Sequence, residues 1–241
     1  MAPLPLLLGH RGSRGCASIP ENTFASFDLA LEHGCDGFEF DVRLTGDGRA
    51  VICHDAKIDG VEVAKAHRRE LTHLPLLGDL LSRYGSRAFL DVELKAGGLE
   101  SQVLTLLQEH APQKGYTVSS FLPEVLSELR TRSASINRGF ICDKAKDLDR
   151  WRALDVQYLI PHYSLIGAEL VSQVHAAGRA LLAWTVNDRA AMLRLKCWGV
   201  DGVISDNTEL LVATLGEQSG EERLQPSGIK LESPLASRQS H

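Results

Sequence analysis

The sequence predicts an α/β chain folded as a single (β/α)8 TIM barrel, with a β-hairpin extension after strand 2 and no large insertion domain. Three observations carry that prediction. Short apolar runs alternate with helix-like segments, the pattern of a parallel α/β protein. Nine of these runs fit strands, at 6–10, 37–42, 50–54, 88–94, 116–120, 138–141, 158–161, 180–186 and 202–205. The turn sequence Thr45-Gly46-Asp47-Gly48 folds the second and third into a hairpin within one unit, so eight βα units remain. The length of 241 residues suits one barrel.

The helices between the strands carry their own signals. Over 23–33, Phe24, Phe27, Ala30 and Leu31 share a face, and Gly34 follows as the C′ residue. Asp188 is an N-cap candidate for a helix over 188–198, with Met192, Leu195 and Trp198 along one side and Gly199 as its stop. Asn207 can cap a last helix that ends at Gly216. The barrel is therefore assigned to residues 1–216. Residues 217–241 are polar, rich in Ser, Gln and Pro and without periodicity, and are expected to be a disordered tail.

Composition narrows the function. Hydrophobic residues at 44% and charged residues at 24% are enough for a sizeable core. A net charge of -5 argues against a nucleic-acid partner and against stable association with an anionic membrane. Cys16, Cys35, Cys53, Cys142 and Cys197 are odd in number and show no C-x-x-C pair, which fits a reduced interior better than a disulfide framework. The start has a short apolar run without a cationic n-region, so it is expected to be a strand and not a signal peptide, and the chain to be cytoplasmic. Nothing in the sequence sets the oligomeric state.

Charged and imidazole side chains gather in the first half. Glu39 and Asp41 are two apart in a strand and leave the same face, while Phe38, Phe40 and Val42 take the other. Two carboxylates that close repel unless a cation or proton is shared, and a hard divalent cation, Mg²⁺ or Ca²⁺, resolves the conflict. A solvated strand edge with both acids exposed is the alternative. Asp91, Glu93 and Lys95 repeat the arrangement on a second strand, where a structural Glu93–Lys95 pair is the plain reading and a third metal ligand with a phosphate contact the other. His10-Arg11-Gly12 and His54-Asp55 each end a strand. Two imidazoles titrating near neutrality suit the base and the acid of a phosphodiester cleavage, and Arg11 can grip a phosphate in two parallel hydrogen bonds. Strict alternation aims Arg11 away from His10, so the chain must turn at Gly12. His162, after Pro161 at another strand end, is left open. Phe121 and Trp184, also at strand ends, can wall a small polar ligand or pack under loops.

In order, His10-Arg11-Gly12, Glu21-Asn22-Thr23, Glu39-x-Asp41, His54-Asp55, Glu93-x-Lys95, Trp184-Thr185-Val186-Asn187 and the run from Gly199 to Asp206 resemble the glycerophosphodiester phosphodiesterase family over roughly residues 6–215. The resemblance implies a barrel that hydrolyses small glycerophosphodiesters to glycerol 3-phosphate and an alcohol with a divalent metal. It implies Glu39, Asp41 and Glu93 as metal ligands, His10 as general base and His54 as general acid. It implies Arg11 and Lys95 as phosphate-binding cations, Phe121 and Trp184 on the alcohol side, and Glu21 and Asn22 as supports near the histidines. The chain departs from the family pattern at 56–74, which is compressed and has a basic stretch at 65–69, and at Pro75-Leu76-Leu77-Gly78-Asp79. That loop should overhang the mouth and set what leaves. Two alternatives stand beside the hydrolase: a lysophospholipase D-like or phosphoinositide phospholipase-like barrel acting on lipids, and a catalytically silent binding barrel.

Overall fold

The computed structural model describes residues 4–216, so the expected tail at 217–241 lies outside the described residues. Eight parallel strands close on themselves. They are β1 (Leu6–His10), β2 (Gly37–Leu44), β6 (Phe89–Leu94), β7 (Tyr116–Ser120), β8 (Arg138–Cys142), β9 (Tyr158–Pro161), β10 (Ala180–Ala183) and β11 (Gly202–Ser205). Each pairs with the next, and β1 pairs with both β11 and β2, which shuts the barrel. β3 (Ala50–Ile52) lies antiparallel on β2 as the expected hairpin, in the register Val42↔Ile52 and Leu44↔Ala50.

Helices α1 (Phe24–Glu32), α2 (Leu77–Tyr84), α3 (Glu100–Glu109), α4 (Pro123–Arg132), α5 (Trp151–Leu154), α6 (Ala168–Ala176), α7 (Arg189–Trp198) and α8 (Thr208–Leu215) follow the strands. Three helix starts obey the caps in the sequence. Thr23 accepts from the Ser26 N–H, Asp188 from the Ala190 and Ala191 N–H groups, and Asn207 from the Leu210 N–H. Gly199 closes α7 at φ +81°, a conformation that carries no Cβ penalty only in glycine.

Two apolar cores sit on either side of the strand ring. Outside it, Phe38, Phe40 and Val42 of β2 and Leu90, Val92 and Leu94 of β6 pack under the helices, with Phe27 of α1 stacked on Phe38 at 4.4 Å. Inside, Leu8, Phe89, Ile141, Tyr158, Ile160, Leu182 and Ile204 fill the lower barrel. The apolar plug leaves the upper layer, at the strand C-termini, to polar side chains.

Three elements differ from the sequence expectation. β10 stops at Ala183, and Trp184 continues only as an isolated bridge to His162. β3 stops at Ile52, so His54 lies beyond the ladder. Residues 56–74, expected as a loop, are not featureless. They form a two-stranded ribbon, β4 (Lys57–Ile58) with β5 (Val61–Glu62), over a small core of Val51, Cys53, Val63, Ala66 and Leu71. The period-2 signal is too short in two-residue strands to register. No helix among the described residues is long and apolar enough to cross a membrane, and none of the five cysteines is in a disulfide.

Gly37 faces Phe89 across the β2–β6 register, and a Cβ at Gly37 would collide with the Phe89 backbone. Backbone cannot yield as a side-chain tip can, so Gly37→Ala should lower stability by about 2 kcal/mol or more. A urea midpoint unchanged from the parent would contradict this register.

Candidate active site

Alternation along β2 and β6 sends Glu39, Asp41, Asp91 and Glu93 into the barrel, and the parallel register sets Asp41 beside Glu93 and Glu39 beside Asp91. Oxygens of Glu39, Asp41 and Glu93, all buried, lie within 4.8 Å of one another. At an effective dielectric near 20, a pair of unit charges that far apart repels by roughly 3.5 kcal/mol. Lys95 answers part of this, with Nζ 2.6 Å from Glu93 and 3.3 Å from Asp41. Arg11 answers another part, with Nε 3.1 Å from Asp41 Oδ2 and its backbone N–H donating to Glu39 at 3.0 Å. With all three ionised, three negative charges would still face two positive ones, and Arg11 is shared with Glu21 at 2.7 Å.

The protonation balance follows from these neighbours. Burial, then the charges of Asp41 and Glu93, raises the Glu39 carboxyl well above the usual carboxylate range. Burial pushes Glu93 up to about 7, with Asp41 adding to it and Lys95 opposing. Burial alone would raise Asp41 too, but the Lys95 and Arg11 charges and the Asn22 amide, donating at 2.8 Å, bring it below its usual value. Asp91, completely buried and accepting from the Ser119 hydroxyl at 2.5 Å, is pushed up to about 7 by burial. Glu39 Oε1 is buried and accepts no hydrogen bond among the described residues, nor does Asp41 Oδ1. Among the described residues Glu39 Oε1 has no partner and Asp41 Oδ1 only the Lys95 ammonium at 3.3 Å, and carboxylate oxygens converging from neighbouring strands fit a hard divalent cation.

The two histidines flank this trio unequally. His10 is buried, and its Nδ1 lies 2.7 Å from Asp206 Oδ1. The Asp206 carboxyl is held well below the usual range: burial opposes this, but the His10 and Asn187 hydrogen bonds and the Arg14 charge overcome it. An ionised carboxylate only accepts, so Nδ1 carries the hydrogen and Nε2, 3.8 Å from Glu39, faces the site. His54 is about one-third exposed, with Nδ1 2.8 Å from the open carboxylate of Asp55.

Arg11 reaches the site by a turn that begins one residue earlier than the sequence suggests. Arg11 itself is left-handed at φ +51°, ahead of Gly12 at +80°, and Asn22 adopts +58°. Such residues are uncommon and strained by about 1–3 kcal/mol each. The turn is held by the Asn22 N–H and the Ser26 hydroxyl, both donating to the Arg11 carbonyl. Glu21 then bridges Arg11 and Arg14. Across the mouth Lys95 lies 5.8 Å over the Phe121 ring, and Phe121 meets Trp184 edge-on at 5.3 Å. The Trp184 indole N–H donates to the Ile160 carbonyl, and His162 packs on its other side at 5.7 Å.

All the residues singled out from the sequence thus border one mouth. Three more belong there: Asp206 behind His10, Asn187 donating to Asp206 at 2.6 Å, and Arg14 at 3.3 Å from Asp206, while Asp91, on the face its spacing with Glu93 predicts, lies beneath the trio. Alternation from the inward Ile204 could have placed Asp206, but only barrel closure sets it beside His10, 196 residues away.

A parallel barrel whose C-terminal mouth gathers three acids, two cations and two imidazoles defines a hydrolase of anionic substrates. The pattern of the glycerophosphoryl diester phosphodiesterase family matches residues 10–78 and 79–210, and the chain belongs to this family. It is 28% identical to the glycerophosphodiester phosphodiesterase of Caldanaerobacter subterraneus subsp. tengcongensis, over 86% of this chain and 96% of that protein. Among solved structures, an Oleispira antarctica phosphodiesterase in complex with the product sn-glycerol-3-phosphate is 31% identical with a TM-score of 0.78, covering 89% of this chain and 98% of that one. A Thermotoga maritima glycerophosphodiester phosphodiesterase is 25% identical with a TM-score of 0.76, covering 87% and 97%.

A raised carboxyl takes up a proton that a metal must displace. With Glu93 at about 7 and Glu39 also raised, the thermal stabilisation given by added Mg²⁺ or Ca²⁺ should be small near pH 5 and grow as pH rises through about 7. The metal-free protein should lose stability over the same window, because its folded state binds more protons than its unfolded one. A metal-induced Tm shift that is flat from pH 5 to 8 would contradict both.

Proposed function

We propose that this phosphodiesterase hydrolyses small, soluble glycerophosphodiesters to glycerol 3-phosphate and an alcohol, with Mg²⁺ or Ca²⁺ bound by Glu39, Asp41 and Glu93. The observation that carries it is the trio of buried carboxylates with Arg11, Lys95 and the His10 imidazole against it. The product bound to the Oleispira antarctica phosphodiesterase supports the substrate class. When bound, the metal would supply Lewis-acid polarisation of a phosphoryl oxygen.

The chain's own groups do the rest. Arg11 and Lys95 hold the phosphate and offset the charge that grows on its oxygens in the transition state. His10 Nε2, unprotonated while Nδ1–H is committed to Asp206, takes the proton of the attacking oxygen. His54, protonated, gives its Nε2 proton to the departing alkoxide while Nδ1–H stays with Asp55. The attacking oxygen belongs to water or to the glycerol's own neighbouring hydroxyl. Phe121 and Trp184 wall the alcohol side, and Glu21 and Asn22 brace Arg11 and Asp41.

The mouth favours a soluble headgroup over a lipid. Part of the basic stretch at 65–69 is already committed: the Arg68 guanidinium donates to the carbonyls of Leu71, Thr72 and Leu74, and the exposed Lys65 pairs with Glu62. The one exposed large hydrophobic among the described residues is Leu193, on α7. Five free thiols suit a reducing compartment, and a cytoplasmic location is part of this proposal.

Glycerophosphocholine hydrolysis, followed as glycerol 3-phosphate release, should cease with chelator and return with metal. His10→Ala and His54→Ala should each lower kcat by about 10²–10⁴-fold, and Asp206→Asn, which frees the His10 tautomer, should cost at least about 10²-fold. Near-normal turnover in either histidine variant would remove that residue from the mechanism.

A further inference from the structure

β2 carries three charged side chains on its inward face. Arg43 follows Glu39 and Asp41 at the same spacing, one layer further up the mouth. Its partner is unusual: Nε donates at 2.7 Å to the backbone carbonyl of His54, and this is its one hydrogen bond among the described residues.

That bond sits where the backbone ladder runs out. β3 is registered on β2 up to Val42↔Ile52, and the Cys53 N–H still donates to the Asp41 carbonyl. His54 comes next, just as the chain departs into the ribbon at 57–62. Its ring is tethered by Asp55, which is 73% exposed. Water and salt compete for such a carboxylate, so that pair is a weak restraint. A half-buried guanidinium on a carbonyl is a charge-assisted bond with fixed direction. It also ties His54 to the strand that carries Glu39 and Asp41, so the proton donor and the carboxylate trio share one frame.

We propose that Arg43 is a positioning residue for His54, fixing the backbone from which the imidazole reaches the leaving-group oxygen. This rests on His54 being the general acid. The consequence is selective. An alkoxide must be protonated as it leaves, so a displaced donor slows its departure. A stable aryloxide leaves without that proton, so the same displacement is harmless.

The test compares kcat and KM on glycerophosphocholine and on the 4-nitrophenyl ester of glycerophosphate, for the parent, Arg43→Ala, Arg43→Lys and His54→Ala. Arg43→Ala should lose about 10–100-fold in kcat on the choline ester with KM little changed, and keep most of its turnover on the aryl ester. Arg43→Lys should recover part of the loss, as should added guanidinium ion with Arg43→Ala. His54→Ala should show the same selectivity, more strongly. If Arg43→Ala loses equally on both esters, or only in KM, while His54→Ala stays selective, the positioning role is overturned. If His54→Ala itself is unselective, the general-acid reading fails instead. Should Arg43→Ala not fold, Arg43→Gln takes its place with the same two outcomes.

Discussion

The mouth of this barrel is organised around a repulsion. Closing eight parallel strands fixes Glu39, Asp41 and Glu93 on adjacent strands in buried positions, with oxygens within 4.8 Å of one another. Nothing in the strand register can relax that distance. The neighbourhood is arranged to bear it: Lys95 leans onto Glu93 and Asp41, Asn22 donates to Asp41, and Arg11 accepts a left-handed backbone to bring its guanidinium in. Charge and strain that would merely destabilise a structural protein are what the proposed function uses, as a preorganised place for a cation and a phosphate.

From that centre the two sides of the mouth diverge. His10 is buried, backed by an ionised Asp206 that Asn187 and Arg14 hold in turn. An imidazole held this way has one tautomer and one direction, as the proposed general base requires. His54 stands on a hairpin at the edge, partly in water, next to a ribbon with its own small core. A side that can change length without disturbing the barrel is the natural place for the substrate range proposed above to vary.

Much of this was legible in the sequence because alternation and capping are local rules. The strands at 6–10, 116–120, 158–161 and 202–205 have the bounds that the apolar runs suggest, and Thr23, Asp188 and Asn207 cap the helices they precede. Glu39 with Asp41, and Glu93 with Lys95, could be placed on one strand face from their spacing, and barrel closure makes that face the inner one. What escaped was non-local or too short. Asp206 meets His10 only through the β1–β11 closure. Arg43 follows the same alternation as Asp41, yet its partner is a backbone carbonyl that no side-chain pattern reveals. Arg11 turns at its own Cα, where a glycine one residue later drew attention.

We propose above all that the three buried carboxylates are held together as a cation site. Crystals of the protein soaked in Mn²⁺, an anomalous scatterer of similar ligand preference to Mg²⁺, test it directly. An anomalous peak bonded to oxygens of Glu39, Asp41 and Glu93, at about 2.0–2.6 Å, is expected. A peak elsewhere, with no density between these three side chains at saturating Mn²⁺, would contradict it.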